Sequence, residues 1–374
     1  MRPLKPVFKF IRKPFKRFKI FLKQRAGWLG VPKIVPYRGY GNTEVIYLQG
    51  MVIEDKGLSK PQDRSKAWKN ILSTLKRFSS DEIPGVKIRA QFLGLTAEAE
   101  TDEQGFFNFR FDVKRIKDTL LEDHWHPVDY ELLDQVVEEQ PQTRARGEVR
   151  IISPGESRIV VSDIDDTVLI SHSTQTLRKL RLMLLKNALT RMPFPGVSNF
   201  YTALEMGPEK KSYFPFFYVS SSEWNLYDLL EDFFTHNNIP KGVFLLKKLE
   251  HSIYKFWKSG GGNHEHKYKK IKSLLKLFVH QKFILIGDSG QRDPLIYKRL
   301  ANEFPGRIEA IYIRKIGTKV HFENIHKLHA QLEEVQTEYL QVEHTRDAAT
   351  HALKKGFIHK DLLEKMKKKT GNDL

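Results

Sequence analysis

The chain has 374 residues, room for two domains with separate cores, and its 40% hydrophobic and 29% charged content excludes a wholly disordered chain. It has no cysteine, which excludes a disulfide framework, a thiolate metal site and a cysteine nucleophile. The net charge of +18 is uneven: residues 1–25 hold ten Lys or Arg and no acid, so this arm calls for an anionic partner.

Residues 1–40 are basic and aromatic, and Pro3, Pro6, Pro14, Pro32 and Pro36 exclude one long helix. Phe8, Ile11, Phe15, Phe18 and Leu22 recur at three- and four-residue steps, so short helical turns would gather them on one side. At about 1 kcal/mol per base near an anionic surface, the ten bases predict an arm that binds an anionic phospholipid membrane. Nucleic acid is the rival partner, but no nucleic-acid module accompanies the arm and such a tail has less use for this many phenylalanines. No 18-residue apolar stretch is present, so no transmembrane segment is expected. Bases interrupt every apolar run of the N-terminus, so it is not read as a signal peptide, and the mature protein is expected to start there. Together these features predict a cytoplasmic protein bound peripherally to membrane.

Residues 41–153 read as a β-rich domain. Val86, Ile88, Ala90 and Phe92 alternate with Lys87, Arg89 and Gln91, and Phe107, Phe109 and Phe111 with Asn108 and Arg110, the pattern of a half-buried antiparallel sheet. The stretch TDEQG places Gly105 where a hairpin turn needs a permissive backbone. A helix over about Gln62 to Phe78 shows Trp68, Ile71, Leu72 and Leu75 on one face. The segment carries no catalytic constellation, and its hairpin resembles the transthyretin-like sandwich modules appended to enzymes, which implies a positioning or interaction role.

From residue 154 short apolar strands (RIVVSDID, FFYVS, GVFLL, KFILIGD, IEAIYI) alternate with amphipathic helices, the signature of a parallel sheet covered on both faces. This α/β domain is expected over 154–320. A helical extension is expected over 321–374, where Ile325, Leu328, Leu332, Val335, Tyr339 and Val342 recur three and four apart, docked on the domain or on a second copy. The insertion Leu177 to Arg191 combines leucines with bases and is too small for a large cap domain; it reads equally as a sheet-covering helix. Tyr254, Phe256 and Trp257, before Gly260, form a loop that could dip into lipid or pack on the core.

In an open parallel sheet ligands bind at the carboxyl ends of the strands. Three polar junctions follow strand-like runs: Asp163-Ile164-Asp165-Asp166-Thr167, Ser220-Ser221-Ser222, and Gly287-Asp288-Ser289-Gly290-Gln291-Arg292-Asp293. Lys267 opens a helix between the last two, near that helix's positive end. Two carboxylates two positions apart can divide roles, one attacking phosphorus and the other handling protons. A further carboxylate on a neighbouring strand end can complete an oxygen shell suited to Mg2+. A serine hydroxyl and a lysine can hold the equatorial oxygens of a phosphoryl group. Which of Ser220, Ser221 and Ser222 does so stays open, and Lys267 also reads as a solvated helix-face lysine among Lys269, Lys270 and Lys272.

These elements, in this order, resemble the haloacid-dehalogenase (HAD) superfamily of aspartate-nucleophile phosphatases. VVSDIDDTV, FYVSSSEWNLYDLL, HKYKKIKSLL and FILIGDSGQRDPLIY are most similar to the catalytic domain of the actin-patch-protein type phosphatidate phosphatases, over roughly residues 155 to 315. The resemblance implies a HAD-like three-layer domain with a mainly parallel sheet and a small cap insertion, preceded by a β-sandwich-like domain and a basic arm. It implies Asp163 as nucleophile, Asp165 as general acid and base, and Ser220 and Lys267 as phosphoryl-oxygen ligands. Asp288 and Asp293 would be the metal-side carboxylates, with Asp163 and the backbone carbonyl of Asp165 also on Mg2+. The implied reaction hydrolyses phosphatidate to diacylglycerol and phosphate through an aspartyl-phosphate intermediate. Asp166 reads as a structural carboxylate beside the site.

Two other enzyme readings are weaker. Gly287-Asp288-Ser289-Gly290 is similar to the nucleophile loop of chymotrypsin-like proteases, but those are antiparallel barrels and this loop ends a parallel strand. His264 and His266 lie two apart in a glycine-rich loop without a third ligand, and read as solvated loop histidines. Hydrolysis of another phosphoester and a non-catalytic phospholipid-binding module remain as alternatives; the intact pair Asp163 and Asp165 argues against the second.

Overall fold

The computed structural model describes residues 20, 22–55, 81–120, 124–164, 196–209, 213–247, 265–290, 292–315 and 332–361. The expected helix over Gln62 to Phe78, the Leu177 to Arg191 insertion, the Tyr254 to Trp257 loop and most of the basic arm lie outside them. The chain divides into two compact units, residues 1–153 and 154–374.

In the first unit the strands are β1 (Pro32–Asn42), β2 (Val45–Glu54), β3 (Lys87–Phe92), β4 (Leu95–Glu100), β5 (Phe106–Asp112), β6 (Trp125–Leu132) and β7 (Arg144–Ile152). They form one sheet in the order β4-β3-β6-β7-β1-β2-β5. Every neighbouring pair is antiparallel except β1 and β7. Ile88, Ala90 and Phe92 are buried between exposed Lys87 and Gln91, and Phe107, Phe109 and Phe111 between exposed Asn108 and Arg110. These side chains join Val128, Tyr130 and Leu132 of β6 in one core, each large one contributing about 1.5–3 kcal/mol by burial.

The TDEQG turn departs from expectation. Gly105 does take a left-handed φ of 73°, but the strands it joins, β4 and β5, are the opposite edges of the sheet and do not pair. Local side-chain bonds explain why. Asp102 Oδ1 accepts from the N–H groups of Gln104 and Phe106, while Thr101 donates its hydroxyl to the Ile83 carbonyl and its N–H to that of Val86. The turn is tied to the chain ahead of β3, and β5 leaves it to pair with β2. The tight hairpin is Leu93-Gly94 between β3 and β4, with φ of 43° and 80° at its two central residues.

The second unit is mixed α/β. Its strands β8 (Arg158–Asp163), β9 (Phe216–Glu223), β10 (Gly242–Lys247), β11 (Lys282–Asp288), β12 (Ile308–Arg314) and β13 (Glu338–Val342) form a sheet in the order β10-β9-β8-β11-β12-β13. All neighbours are parallel. Burial along almost the whole of β8, β10, β11 and β12 accounts for their unbroken apolar runs. Helices α1 (Val197–Met206), α2 (Tyr227–His236), α3 (Glu265–Leu277), α4 (Asp293–Glu303) and α5 (Thr345–Lys354) each bury one face, such as Tyr268, Ile271, Leu274 and Leu275 of α3. The chain lays β9 and β10 on one side of β8 and β11 to β13 on the other. The order therefore reverses between β8 and β11, and it is at the carboxyl ends of such a reversal that open parallel sheets bind ligands.

The helical reading of the C-terminal segment is corrected at residues 338–342. This stretch is strand β13, which adds a sixth strand by pairing with β12. Tyr339 and Val342 are its buried residues; three apart, they share a helix face in the sequence pattern but lie on opposite faces of the strand. Tyrosine and valine favour a pleated surface, and β12 supplies a backbone edge to pair with. Just before it, Gln336 at φ 58° takes the chain out of helical geometry. Helix follows in α5. Among the described residues no helix is long and apolar enough to cross a membrane.

Candidate active site

Five elements deliver charged or polar side chains to the carboxyl ends of the central strands. Asp163 is the last residue of β8 and Asp288 the last of β11, and both are buried. Asp293 is the first residue of α4, five positions beyond Asp288, and is buried as well. One carboxylate oxygen from each of Asp163, Asp288 and Asp293 lies within 4.8 Å of the others.

Lys267 enters from the first turn of α3. Its side chain is 1% exposed, and its Nζ lies 2.6 Å from Asp163 Oδ1 and 3.0 Å from Asp293 Oδ1. The helix-face reading of Lys267 is therefore wrong: it faces the sheet, because the buried carboxylates supply the counter-charge that a desolvated ammonium requires. Ser220 is fully buried on β9, one residue beyond Val219, the register partner of Asp163. Ser222 is also buried and its N–H donates to Ser220 Oγ at 2.9 Å, whereas Ser221 is half-buried. Asp165 and Asp166 lie outside the described residues.

Three supports were missed by sequence reasoning. A Cβ on Gly287 would sit 2.7 Å from Asp293 Oδ2 and 2.9 Å from Asp293 Cβ, so only glycine lets α4 bring Asp293 back over the end of β11. Its place in GDSGQRD was the signal available. Tyr297, one turn into α4, donates its hydroxyl to the Ile286 carbonyl at 3.1 Å. Burial, then Asp293, Asp163 and Asp288, hold its phenol well above the usual range, so it stays a neutral donor. Ser162 Oγ lies 2.7 Å from Tyr201 Oη and donates to the Asp163 carbonyl at 2.8 Å, bracing the strand end from the face that α1 covers.

His266 is half-buried beside Lys267, and its imidazole is depressed to about 3 by burial and by Lys270, Lys247 and Lys267. His264 lies outside the described residues. Among the described residues the buried carboxylate trio is the one group with metal-ligand spacing. Its donors are all oxygen, which suits a hard divalent cation.

Residues 158–315 match the family model described as "Phosphatidate phosphatase APP1, catalytic domain". Phosphatidate phosphatase APP1 of Saccharomyces cerevisiae is 32% identical over 155 residues, 41% of this chain and 25% of that protein. An uncharacterized protein of Schizosaccharomyces pombe is 28% identical over 158 residues, 42% of this chain and 25% of its own length. The chain thus spans about a quarter of the length of these curated relatives. Among solved structures, a carbohydrate acetylesterase from Xanthomonas citri aligns at a TM-score of 0.28 and 9% identity, over 83% of this chain and 68% of that one. A CARDB domain from Pyrococcus furiosus aligns at 0.18 and 11%, over 33% and 92%. Neither structural likeness is close enough to bear on the fold. The segment holding every site motif is similar to the catalytic domain of a HAD-type, APP1-like phosphatase, as the motifs implied.

Proposed function

We propose that this protein hydrolyses phosphatidate to diacylglycerol and phosphate, with Mg2+ as cofactor and Asp163 as nucleophile. The observation that carries the reading is the convergence of three buried carboxylates and Lys267 at the carboxyl ends of β8 and β11. The similarity of residues 158–315 to the APP1 catalytic domain supports the substrate.

Asp163, Asp288, Asp293 and the backbone carbonyl of Asp165 would hold Mg2+. The ion, when bound, offsets repulsion between the anionic carboxylates and the anionic phosphate. Asp163 attacks phosphorus, and the bond from phosphorus to the lipid alcohol oxygen breaks as Asp165 gives that oxygen a proton. Water then attacks the aspartyl phosphate, Asp165 takes its proton, and phosphate and the free carboxylate are regenerated. Lys267 and Ser220 hold the phosphoryl oxygens, where charge needs stabilising in each transition state. Lys267 bridges Asp163 and Asp293 before substrate arrives, which keeps its ammonium beside the point of attack.

In this reading the second unit is a HAD-like three-layer domain with a small cap insertion, open to substrate held in a surface. The first unit, with its one seven-stranded sheet, is a positioning module. The arm of residues 1–19, with Lys23 and Arg25, docks the enzyme peripherally on anionic membrane from the cytoplasm.

The test is phosphate release from vesicles containing phosphatidate and from soluble phosphomonoesters, each with Mg2+ and with excess chelator. Release from phosphatidate that stops on chelation is expected. Turnover of soluble esters alone would establish another phosphoester as substrate. Vesicle binding without release from any of them would establish a non-catalytic lipid-binding module.

A further inference from the structure

Seven large hydrophobic side chains are exposed among the described residues, and three of them, Leu22 at 49%, Trp28 at 77% and Val31 at 37%, fall within ten residues of each other in sequence. An exposed tryptophan flanked by other exposed apolar residues marks a binding surface more often than chance.

The local backbone is built to present them. Residues 22–25 make a short helical turn, closed by Ala26 N–H to the Leu22 carbonyl at 2.9 Å and Trp28 N–H to that of Lys23 at 2.9 Å. Gly27, at φ 65°, reverses the chain with open space around it. The reversal sends Leu29 into the core of the first unit, at 7% exposed, and leaves Trp28 outside. Ile20, at 8%, sinks into the same core on the other side of the turn. Lys23 clips the turn to the sheet through Asp81 at 2.6 Å and Glu54 at 3.3 Å, and the Gly30 N–H donates to Glu54 at 2.9 Å. The turn is therefore anchored at four points, and Trp28 stands on a fixed platform.

Charge identifies the occupant. The sequence immediately before this platform, residues 1–21, holds eight bases and no acid. Arg25, exposed within the turn itself, carries that positive charge onto the folded domain. Tryptophan, with an apolar ring and an N–H at its edge, settles at the headgroup level of a bilayer. We propose that Trp28, with Leu22 and Val31, is an interfacial lipid contact that seats the first unit on the anionic bilayer reached by the arm. This rests on the reading of the arm as a membrane anchor and deepens it. Lipid contact begins where the chain is already folded, so binding by the arm fixes which side of the first unit meets the membrane.

The absence of cysteine allows a direct test in the full-length protein. A Trp28→Cys variant labelled with an environment-sensitive dye is mixed with vesicles of phosphatidylserine and phosphatidylcholine, with and without brominated acyl chains. The control is Leu93→Cys, at the exposed hairpin tip between β3 and β4. The dye at position 28 is expected to shift to the blue and be quenched by brominated lipid, and the dye at 93 to do neither. Unlabelled Trp28→Ala should bind these vesicles about tenfold more weakly and keep its turnover of soluble phosphoesters. Vesicle sedimentation with no quenching at position 28 would overturn the inference while leaving the arm's role intact. So would equal quenching at 93, or a Trp28→Ala effect on solution mass instead of vesicle binding, which would assign the surface to a second copy. Failure of the wild-type protein to sediment with anionic vesicles would overturn both the arm reading and this one.

Discussion

In the seven-stranded unit buried Thr101 and Arg150 find their partners in nearby backbone, whereas in the six-stranded unit the buried charges at the strand ends find one another. Thr101 bonds the Ile83 carbonyl and the Val86 N–H, each at 3.0 Å, and Arg150 donates to the carbonyls of His124 and Ile151. These contacts staple chain segments. Asp163, Asp288, Asp293 and Lys267 instead come from four separate segments to one point at the strand ends. Burying three carboxylates around one ammonium is costly for stability, since the charges of one sign outnumber the other. Such an arrangement signals chemistry, and the stapled kind signals architecture.

Substitutions can break that contrast. The largest effect is expected from Asp163→Asn, which should lower phosphate release by about a thousandfold or more while leaving the unfolding midpoint near wild type. Retention of a tenth of wild-type turnover would remove Asp163 from the nucleophile's role. Lys267→Met should cost both activity and stability. With chelator present, chemical denaturation should show a loss of about 3–5 kcal/mol, because the cluster loses its buried counter-charge. A change in activity alone would mean that Lys267 is not the element that holds the carboxylates together.

A smaller effect is expected at Thr101→Val. Removing its hydroxyl leaves a buried N–H and a buried carbonyl short of partners, so denaturation should show a loss of about 1–3 kcal/mol with unchanged turnover per folded molecule. The smallest is a pH effect at His266. Its folded pKa is depressed to about 3, below the usual 6.5, so as pH falls the unfolded chain takes up the proton first. The stability that this imidazole contributes is complete above about pH 6.5 and is lost as pH falls toward 3. Partial exposure keeps the slope well under about 1.4 kcal/mol per pH unit. His266→Gln should flatten that part of the stability-pH profile, and an unchanged profile would mean that the imidazole titrates normally.

The sequence made the order of the site motifs legible because each sits where an apolar strand run stops, and a strand end in a parallel sheet is where polar groups gather. It could not show that Lys267 faces inward, since its helix is lysine-rich and only the carboxylates on other segments decide which lysine is buried. The role of Gly287 was equally hidden, because it depends on how far Asp293 folds back from α4. Strand β13 was misread because its two buried residues lie three apart, a helical step, and the partner strand that makes it a strand lies more than twenty residues away in sequence. The TDEQG turn was misjudged for a related reason. The glycine and the turn are local properties, but which strands pair is decided by Thr101 and Asp102 bonding to the chain around them.

The central claim is that the buried cluster at the ends of β8 and β11 transfers a phosphoryl group through Asp163, and trapping the intermediate tests it most directly. Protein mixed with phosphatidate and Mg2+ would be quenched in acid within a single turnover, digested, and analysed by mass spectrometry. The account predicts one added phosphoryl group on the peptide containing Asp163, absent from Asp163→Asn and from protein quenched with chelator present. Turnover of phosphatidate with no such adduct at any quench time, or an adduct on a different residue, would contradict it.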